Sequence, residues 1–247
     1  MNITFCITCK NRLHQIKKTL QKNLLDNFQE KNRIDFLLVD FGTKGLKEWV
    51  LDNFQADLNS GYLKYYYTEE LTYWHACVGK NTSHFLADND FLINLDCDNY
   101  TGVKGGKFIL DKINKPGGHK IIIHQFSGEY KDGSFGRIGM AKRYFEYIGG
   151  YDESFLPMSV QDTDLMKRAE SLGLILDHCP NPLYSSAEIN TKEESTKYCD
   201  TDLQWDEMLS QNQQKLEHNM VNQIIRVNNG IYGIRKNIFN HKNERVY

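Results

Sequence analysis

Phe91-Leu92-Ile93-Asn94-Leu95-Asp96-Cys97-Asp98-Asn99 is the stretch on which the reading of this chain turns. A mostly apolar run that stops abruptly at paired acids has the pattern of a buried strand whose end reaches a surface. In an extended segment residues two apart face the same way, so Asp96 and Asp98 are expected to project together while Cys97 faces the other side. Two carboxylates about 6 Å apart at an effective dielectric near 20 repel by about 3 kcal/mol, a cost that a divalent cation reverses. Mg²⁺ or Mn²⁺ held by one or two carboxylates plus substrate phosphates suits such a pair. A solvated acidic turn is the plainer reading. The place of the pair, at the end of an apolar strand where open α/β sheets bind their ligands, favours the site.

Strand and helix periods alternate on both sides of this stretch. Residues 3–8 read as a strand. Residues 11–28 read as a helix, with Leu13, Ile16, Leu20, Leu24 and Phe28 at helical spacing. Residues 34–40 are a near-continuous apolar strand, 44–54 a short helix and 62–67 a third strand. Residues 74–89 form a helix striped by Trp74, Cys77, Val78, Thr82, Phe85 and Leu86. A helix over 102–113 and a strand over 119–124 follow, the latter after the Pro116-Gly117-Gly118 break. This alternation predicts an α/β fold with an open, mostly parallel, Rossmann-like sheet flanked by helices. The remainder is less regular: helices over 142–148 and 162–172, a short strand over 174–176, and a polar, irregular stretch over 180–197 expected to be a mobile loop. A polar helix over 203–221 follows, and the tail from about 237 is expected to fray.

The 247 residues are 40% hydrophobic and 25% charged, ordinary for a globular protein. A net charge of -2 and a pI near 6.4 carry no electrostatic footprint for nucleic acid, so small molecules or glycans are the expected partners. The N-terminus runs straight into apolar sequence without a basic region, and no apolar stretch approaches the roughly 20 residues that cross a bilayer. The expectation is a cytoplasmic protein, with peripheral membrane association left open. The six cysteines, Cys6, Cys9, Cys77, Cys97, Cys179 and Cys199, are expected to be buried free thiols. Cys6 and Cys9 lie three apart in a strand, so they face opposite sides and cannot easily share a metal.

Gln161-Asp162-Thr163-Asp164-Leu165 opens a helix. Acids at a helix N-terminus cap it and suit its dipole, and a carboxylate there is also placed to act as a general base. Asp40 ends the second strand, where it is either a nucleotide contact or a turn residue. Arg12 follows the first strand, where it stacks on a base, pairs with phosphate or stays solvated. Asn81 falls within an apolar helical stripe and needs a partner, backbone before ligand. Lys80 reads as solvated first and phosphate-binding second, and Trp74 and His75 as structural. The phosphate-loop, nucleophile-elbow and H-E-x-x-H patterns do not occur.

In this order the pieces resemble the inverting glycosyltransferases of the GT-A fold, nearest to the bacterial family 2 group and the β-1,4-galactosyltransferase type. The matching stretches are Cys9-Lys10-Asn11-Arg12, Val39-Asp40, Lys80-Asn81, Ala87-Asp88 and Leu95-Asp96-Cys97-Asp98-Asn99. Gly136-Arg137-Ile138-Gly139-Met140, Gly149-Gly150-Tyr151-Asp152-Glu153 and Gln161-Asp162-Thr163-Asp164-Leu165 complete the set, which covers about residues 1 to 178. The resemblance implies a nucleotide-sugar donor, usually a uridine one, a glycan or other hydroxyl acceptor, and Mn²⁺ or Mg²⁺. Thr8, Arg12, Asp40, Lys80, Asn81 and Asp96 would hold the nucleotide. Asp96 and Asp98 would bind the metal, with His178 the nearest third ligand. Asp162 would be the catalytic base, Asp164 an acceptor contact, and Gly149 and Gly150 the backbone approach to the donor sugar. The expected organisation is a catalytic domain over 1–200, with a nucleotide-binding half over 1–100 and an acceptor half over 101–200. A helical C-terminal extension over 201–247 would pack on that domain. Gln161 stands where the family usually has Glu, and Met158-Ser159 where it often has Trp-Gly. The rival readings are a nucleotidyltransferase, which usually carries a glycine-rich loop after strand one that Cys9-Lys10-Asn11-Arg12 lacks, and a non-catalytic sugar-binding protein.

Overall fold

The computed structural model of the protein describes residues 1–126, 133–179 and 187–247. Four parallel strands form its centre: β1 (Ile3–Cys9), β2 (Ile34–Asp40), β3 (Leu63–Tyr67) and β4 (Phe91–Asn94), in the order β3-β2-β1-β4. Their side chains alternate between two cores, as a period of two requires. Ile3, Phe5, Ile7 and Cys9 join Ile34, Phe36, Leu38, Phe91 and Ile93 on one face. Cys6 joins Leu37, Val39 and Leu92 on the other. Both faces are covered, which is why these strands read as almost unbroken apolar runs. Cys6 and Cys9 thus sit in different cores, and all six thiols are free.

Helix α1 (Leu13–Asn27) closes the first core with Ile16, Leu20 and Leu24. Each such side chain contributes about 1.5–3 kcal/mol by leaving water. Helices α2 (Leu46–Asn53) and α3 (Gln55–Ser60) connect β2 to β3, and α4 (Ala76–Leu86) brings Leu86 to the second core. After β4, α5 (Gly105–Ile113) returns Ile109, Leu110 and Ile113 to the first core.

The sheet continues past β4 with β6 (Ile138–Ala141), β5 (Ile121–His124) and β7 (Ile175–His178), and β8 (Phe239–Asn240) closes its other edge, completing the order β7-β5-β6-β4-β1-β2-β3-β8. Strand β6 runs antiparallel to both β4 and β5. It is short, and Gly139 interrupts its apolar pattern; a Cβ there would meet Ile93 Cγ1 at 2.7 Å. Helices α6 (Lys142–Ile148) and α7 (Gln161–Ser171) pack Phe145, Ile148, Leu165 and Ala169 into a further core. A five-residue helix α8 (Lys192–Thr196) starts at a Thr191/Glu194 capping box. Helix α9 (Trp205–Val221) turns Met208, Asn212, Leu216 and Asn219 inward, so its buried face is half polar.

The tail expected to fray is an edge strand. Strand β8 (Phe239–Asn240) pairs antiparallel with Tyr66 and Tyr67 of β3, and Ile238 is fully buried beside it. Glu70 ties down this return through Lys236 at 3.0 Å and Asn237 at 2.6 Å. Among the described residues, no helix is long and apolar enough to cross a membrane.

Candidate active site

The carboxyl ends of β1 and β4 open into a cleft of about 760 Å³. Thr8, Lys10 and Arg12 reach it from β1, and Asp96, Cys97 and Asp98 from β4. Gly136, Gln161 and Asp162 come from the far half of the chain. The acidic pair does not lie in extended backbone as expected. Strand β4 ends at Asn94, and the amide of Asn99 donates to Asp96 O at 2.8 Å, so residues 96–99 form a turn. Within that turn the Cys97 thiol shares a hydrogen bond with Cys9, and this contact with burial pushes it well up, so it is not a reactive thiolate.

Helix α1 grips this turn along one polar stripe. Thr19 Oγ1 donates to Cys97 O at 2.6 Å and Asn23 Nδ2 to Asn99 O at 2.9 Å. Asn23 Oδ1 accepts from the Thr101 amide at 2.8 Å and Asn27 Oδ1 from the Gly106 amide at 2.7 Å. Gln15, Thr19, Asn23 and Asn27 recur every four residues and are all buried. Buried polar groups in such number need partners; the loop backbone supplies them for Thr19, Asn23 and Asn27, and Asn190 for Gln15.

Lys80 is the hub of the cleft. Far from solvated, it is 3% exposed, with Nζ 2.8 Å from Asp162 Oδ1 and 3.8 Å from Asp96 Oδ1. Burial opposes its charge, but Asp162 and Asp96 outweigh that and hold the ammonium above its ordinary value. Gly136 fits between the acids: a Cβ would lie 2.7 Å from Asp96 Oδ2 and 3.5 Å from Asp162 Oδ2. Two acidic clusters 66 positions apart in sequence (162 − 96) therefore meet across one lysine.

Asp98 is held from a different side. Its Oδ1 accepts from Asn99 Nδ2 at 2.7 Å and its Oδ2 from Asn190 Nδ2 at 2.6 Å. Burial and neighbouring Asp96 push its carboxyl up to about 6. Asn190 Oδ1 in turn accepts from Arg12 at 2.6 Å and Gln15 at 2.6 Å, and Arg12 also donates to Glu194 O at 2.5 Å. The described part of the stretch expected to be irregular thus docks on the cleft. Ala187 bridges to Asn99, and the Glu188 amide donates to Asp98 O at 2.7 Å. Residues 127–132 and 180–186, the latter within the stretch expected to be a mobile loop, lie outside the described residues.

Several candidates are structural instead. Asp40 is fully buried; Thr43 N donates to its Oδ1 at 2.7 Å and Tyr65 Oη to its Oδ2 at 2.7 Å, so its turn reading holds and it does not line the cleft. Asn81 clamps a distant turn rather than a ligand. Its Nδ2 donates to Tyr151 O and Glu153 Oε1, both at 2.8 Å, and its Oδ1 accepts from the Tyr151 amide at 2.8 Å. That clamp explains Gly150, where a Cβ would meet Asn81 Oδ1 at 2.4 Å. At Gly149 a Cβ would meet Val227 O at 2.3 Å. With φ 79 at Gly149 and φ 69 at Gly150, close packing and backbone shape by themselves require glycine at both positions. Asp164 is 1% exposed, paired with Arg168 Nε at 2.7 Å and accepting from Asn219 Nδ2 at 2.9 Å, so it is no acceptor contact. His178 lies outside the cleft lining, its Nδ1 3.2 Å from Nδ1 of His124.

Asn212 of α9 is a contributor that sequence reasoning missed. The turn leading to Asp162 has Ser159 at φ 84 and Val160 at φ 67, costly for a β-branched residue. Asn212 holds it: Nδ2 donates to Met158 O at 2.8 Å and Ser159 O at 2.9 Å, and Oδ1 accepts from the Leu156 amide at 2.8 Å.

The donor set fits a hard divalent cation in part. Asp96, with 30% of its side chain exposed, is the open carboxylate, and a cation at Asp98 Oδ2 would take the place of Asn190. Among the described residues, no group of three or more His, Cys, Asp or Glu side chains is placed to hold a metal. The remaining ligands would come from water and phosphate, which Mg²⁺ and Mn²⁺ accept.

This sheet, with an acidic turn above β4 and a cleft beyond the strand ends, is the GT-A fold. No protein-family profile and no curated protein sequence matches the chain. Among solved structures it is similar to a mannosyltransferase of Pyrobaculum calidifontis in complex with GDP-Man and Mn²⁺, at 11% identity and TM-score 0.59, over 73% of this chain and 55% of that one. It is likewise similar to S. aureus TarS 1-349 in complex with UDP-GlcNAc, at 14% identity and TM-score 0.61, over 78% and 60%. A third is a mutant Drosophila β-1,4-galactosyltransferase 7 in complex with manganese, UDP-Gal and xylobiose, at 8% identity and TM-score 0.54, over 84% and 79%. The chain spans under two thirds of the length of the first two.

Proposed function

We propose that the protein is a metal-dependent inverting glycosyltransferase that moves a sugar from a nucleotide-sugar, a uridine one by preference, to an acceptor hydroxyl. The observation that carries this reading is the meeting of Asp96 and Asp162 at Lys80, two acids in one cleft as a metal-side carboxylate and a base would need to be. The nucleotide-sugars and Mn²⁺ bound by proteins of the same fold support it.

Asp162 acts as the base. Lys80 fixes its Oδ1, and Oδ2 has no partner among the described residues, so Oδ2 takes the hydroxyl proton as the oxygen attacks the anomeric carbon. The bond from that carbon to the phosphate oxygen breaks, and its electron pair leaves with the nucleoside diphosphate. Asp96 and Asp98 would hold Mn²⁺ or Mg²⁺, which supplies electrostatic stabilisation of the leaving phosphates. Thr8, Lys10 and Arg12 line the end of the cleft available to the nucleotide. Residues 1–200 carry the chemistry, and the later segment braces it through Asn212 and Asn219. The six free thiols support a reducing compartment, and the cytoplasm is the proposed location.

Incubating the chain with a panel of nucleotide-sugars and Mn²⁺ tests the proposal. Release of nucleoside diphosphate supports it; release of pyrophosphate would revive the nucleotidyltransferase reading, and no release with any donor would favour a binding protein.

A further inference from the structure

Strand β4 ends at Asn94, and the sheet holds the chain only as far as the Leu95 amide, which donates to Cys6 O at 2.9 Å. Past that point the carbonyls of the acidic turn are taken by groups from elsewhere. Cys97 O accepts from Thr19 Oγ1 at 2.6 Å, and Asn99 O from Asn23 Nδ2 at 2.9 Å. Asp98 O, between them, accepts from the Glu188 amide at 2.7 Å. Asn23 adds a second grip, its Oδ1 accepting from the Thr101 amide at 2.8 Å. The residues on both sides of Asp98 are therefore tied to one helix, at positions four apart. Thr19 and Asn23 are each 1% exposed, so water has no access to stand in for them.

A helix lying on a sheet meets the demands of packing with apolar side chains on its inner face, as Ile16, Leu20 and Leu24 do in α1. Thr19 and Asn23 add nothing to that core; their polar atoms go to the peptides that flank Asp98. A carboxylate that ligates a hard cation at about 2 Å must be held to within about 0.5 Å of its place. We propose that Thr19 and Asn23 are positioning residues for Asp98: by fixing the carbonyls on either side of it, they set its carboxylate for a divalent cation. The assignment rests on the metal-dependent reading of the cleft. Asn27, the next member of the stripe, supplies a contrast. It is 2% exposed and as fully bonded, with Nδ2 donating to Thr101 Oγ1 at 2.8 Å and Oδ1 accepting from the Gly106 amide at 2.7 Å. Its loop partners lie at 101 and 106, away from the peptides that flank Asp98.

Free Mn²⁺ gives an electron paramagnetic resonance signal that is lost on binding, so titrating the full chain with Mn²⁺, alone and with UDP, reads affinity without turnover. Thr19→Val keeps the shape and removes the hydroxyl, and Asn23→Ala removes the amide. Each should weaken Mn²⁺ about tenfold or more, the loss expected when a group that orients a metal ligand is removed. Thr19→Ser restores the donor and should bind Mn²⁺ as wild type does. Asn27→Ala should lower the melting temperature as Asn23→Ala does, yet leave Mn²⁺ affinity unchanged. If Thr19→Val does not fold, the comparison of Asn23→Ala with Asn27→Ala decides. Wild-type affinity in the folded variants at 19 and 23, or an equal loss in Asn27→Ala, would overturn the assignment and leave the transferase reading standing. A wild-type chain that binds no Mn²⁺ with UDP present would sink the metal-dependent reading, and the assignment with it.

Discussion

Lys80 holds Asp162 and Asp96 to one another: one buried ammonium, 2.8 Å from the first and 3.8 Å from the second, joins carboxylates carried by α7 and by the turn after β4. Both acids border the space where Gly136 has no side chain. The cleft is organised around that contact.

Lys80→Met should therefore strand two acids. The expected loss of stability is about 3 kcal/mol, the low end for breaking a buried pair because Asp162 keeps 13% of its side chain exposed. Adding Asp162→Asn should recover about 1 kcal/mol or more of it, as coupled neighbours do. Urea unfolding of the two single variants and the double variant reads this directly. Additive losses would mean the pair is not coupled.

Gly136→Ala places a methyl 2.7 Å from Asp96 Oδ2 and 3.1 Å from Lys80 Nζ. The acid can swing away, so folding should suffer little while the cleft is misaligned. Donor cleavage at limiting Mn²⁺ should fall about tenfold or more, equivalent to about 1.4 kcal/mol. Wild-type Mn²⁺ dependence in this variant would remove Asp96 from the site.

Asn212→Ala frees the left-handed turn at Ser159 and Val160 that leads to Asp162. Its side-chain bonds to Leu156, Met158 and Ser159 are lost, at about 1 kcal/mol each. A positioning role predicts that kcat drops while the donor KM stays put. A merely structural role would lower the melting temperature and leave kcat unchanged in the folded fraction.

His84 is buried, stacked on Phe145 with ring centroids 4.5 Å apart. Burial brings its ring down to about 4, against the raising effect of the Lys80 carbonyl and with a lowering one from the Lys80 ammonium. An unfolded histidine titrates near 6.5, so between about 6.5 and about 4 the unfolded chain takes the proton first. The stability linked to this ring is complete above pH 6.5 and is lost as pH falls towards 4. At about 1.4 kcal/mol per pH unit the loss is at most about 3 kcal/mol. Burial lowers His75 and His124 as well, in the same direction. Urea unfolding at pH 7 and pH 4.5 should show a smaller drop for His84→Gln than for wild type. An equal drop would place the acid sensitivity elsewhere.

The strands of the central sheet were legible because burial on both faces leaves a continuous apolar signature, and the acids at 96, 98 and 162 were legible from where such strands and helices end. Partners were harder. Asn81, Asp164 and the Gly149-Gly150 pair look like ligands by residue type. Their roles are set by atoms far away in sequence, at Tyr151, Asn219 and Val227. Two local signals were available nonetheless. Asp164 and Arg168 stand four apart on one helix, the spacing of an ion pair. Gln15, Thr19, Asn23 and Asn27 repeat every four residues, a polar stripe in a helix that also has an apolar one. Strand β6 and the docked tail left no such trace. The first is broken by a glycine needed for close approach, and the second is held mainly by one buried isoleucine and an edge strand two residues long.

Mn²⁺-dependent release of nucleoside diphosphate from a nucleotide-sugar, measured side by side for wild type, Asp98→Ala and Asp162→Asn, tests the central claim most directly. The account predicts release by wild type alone, with nucleotide still bound by Asp162→Asn and its Mn²⁺-dependent binding lost in Asp98→Ala. Full release by Asp162→Asn would contradict it.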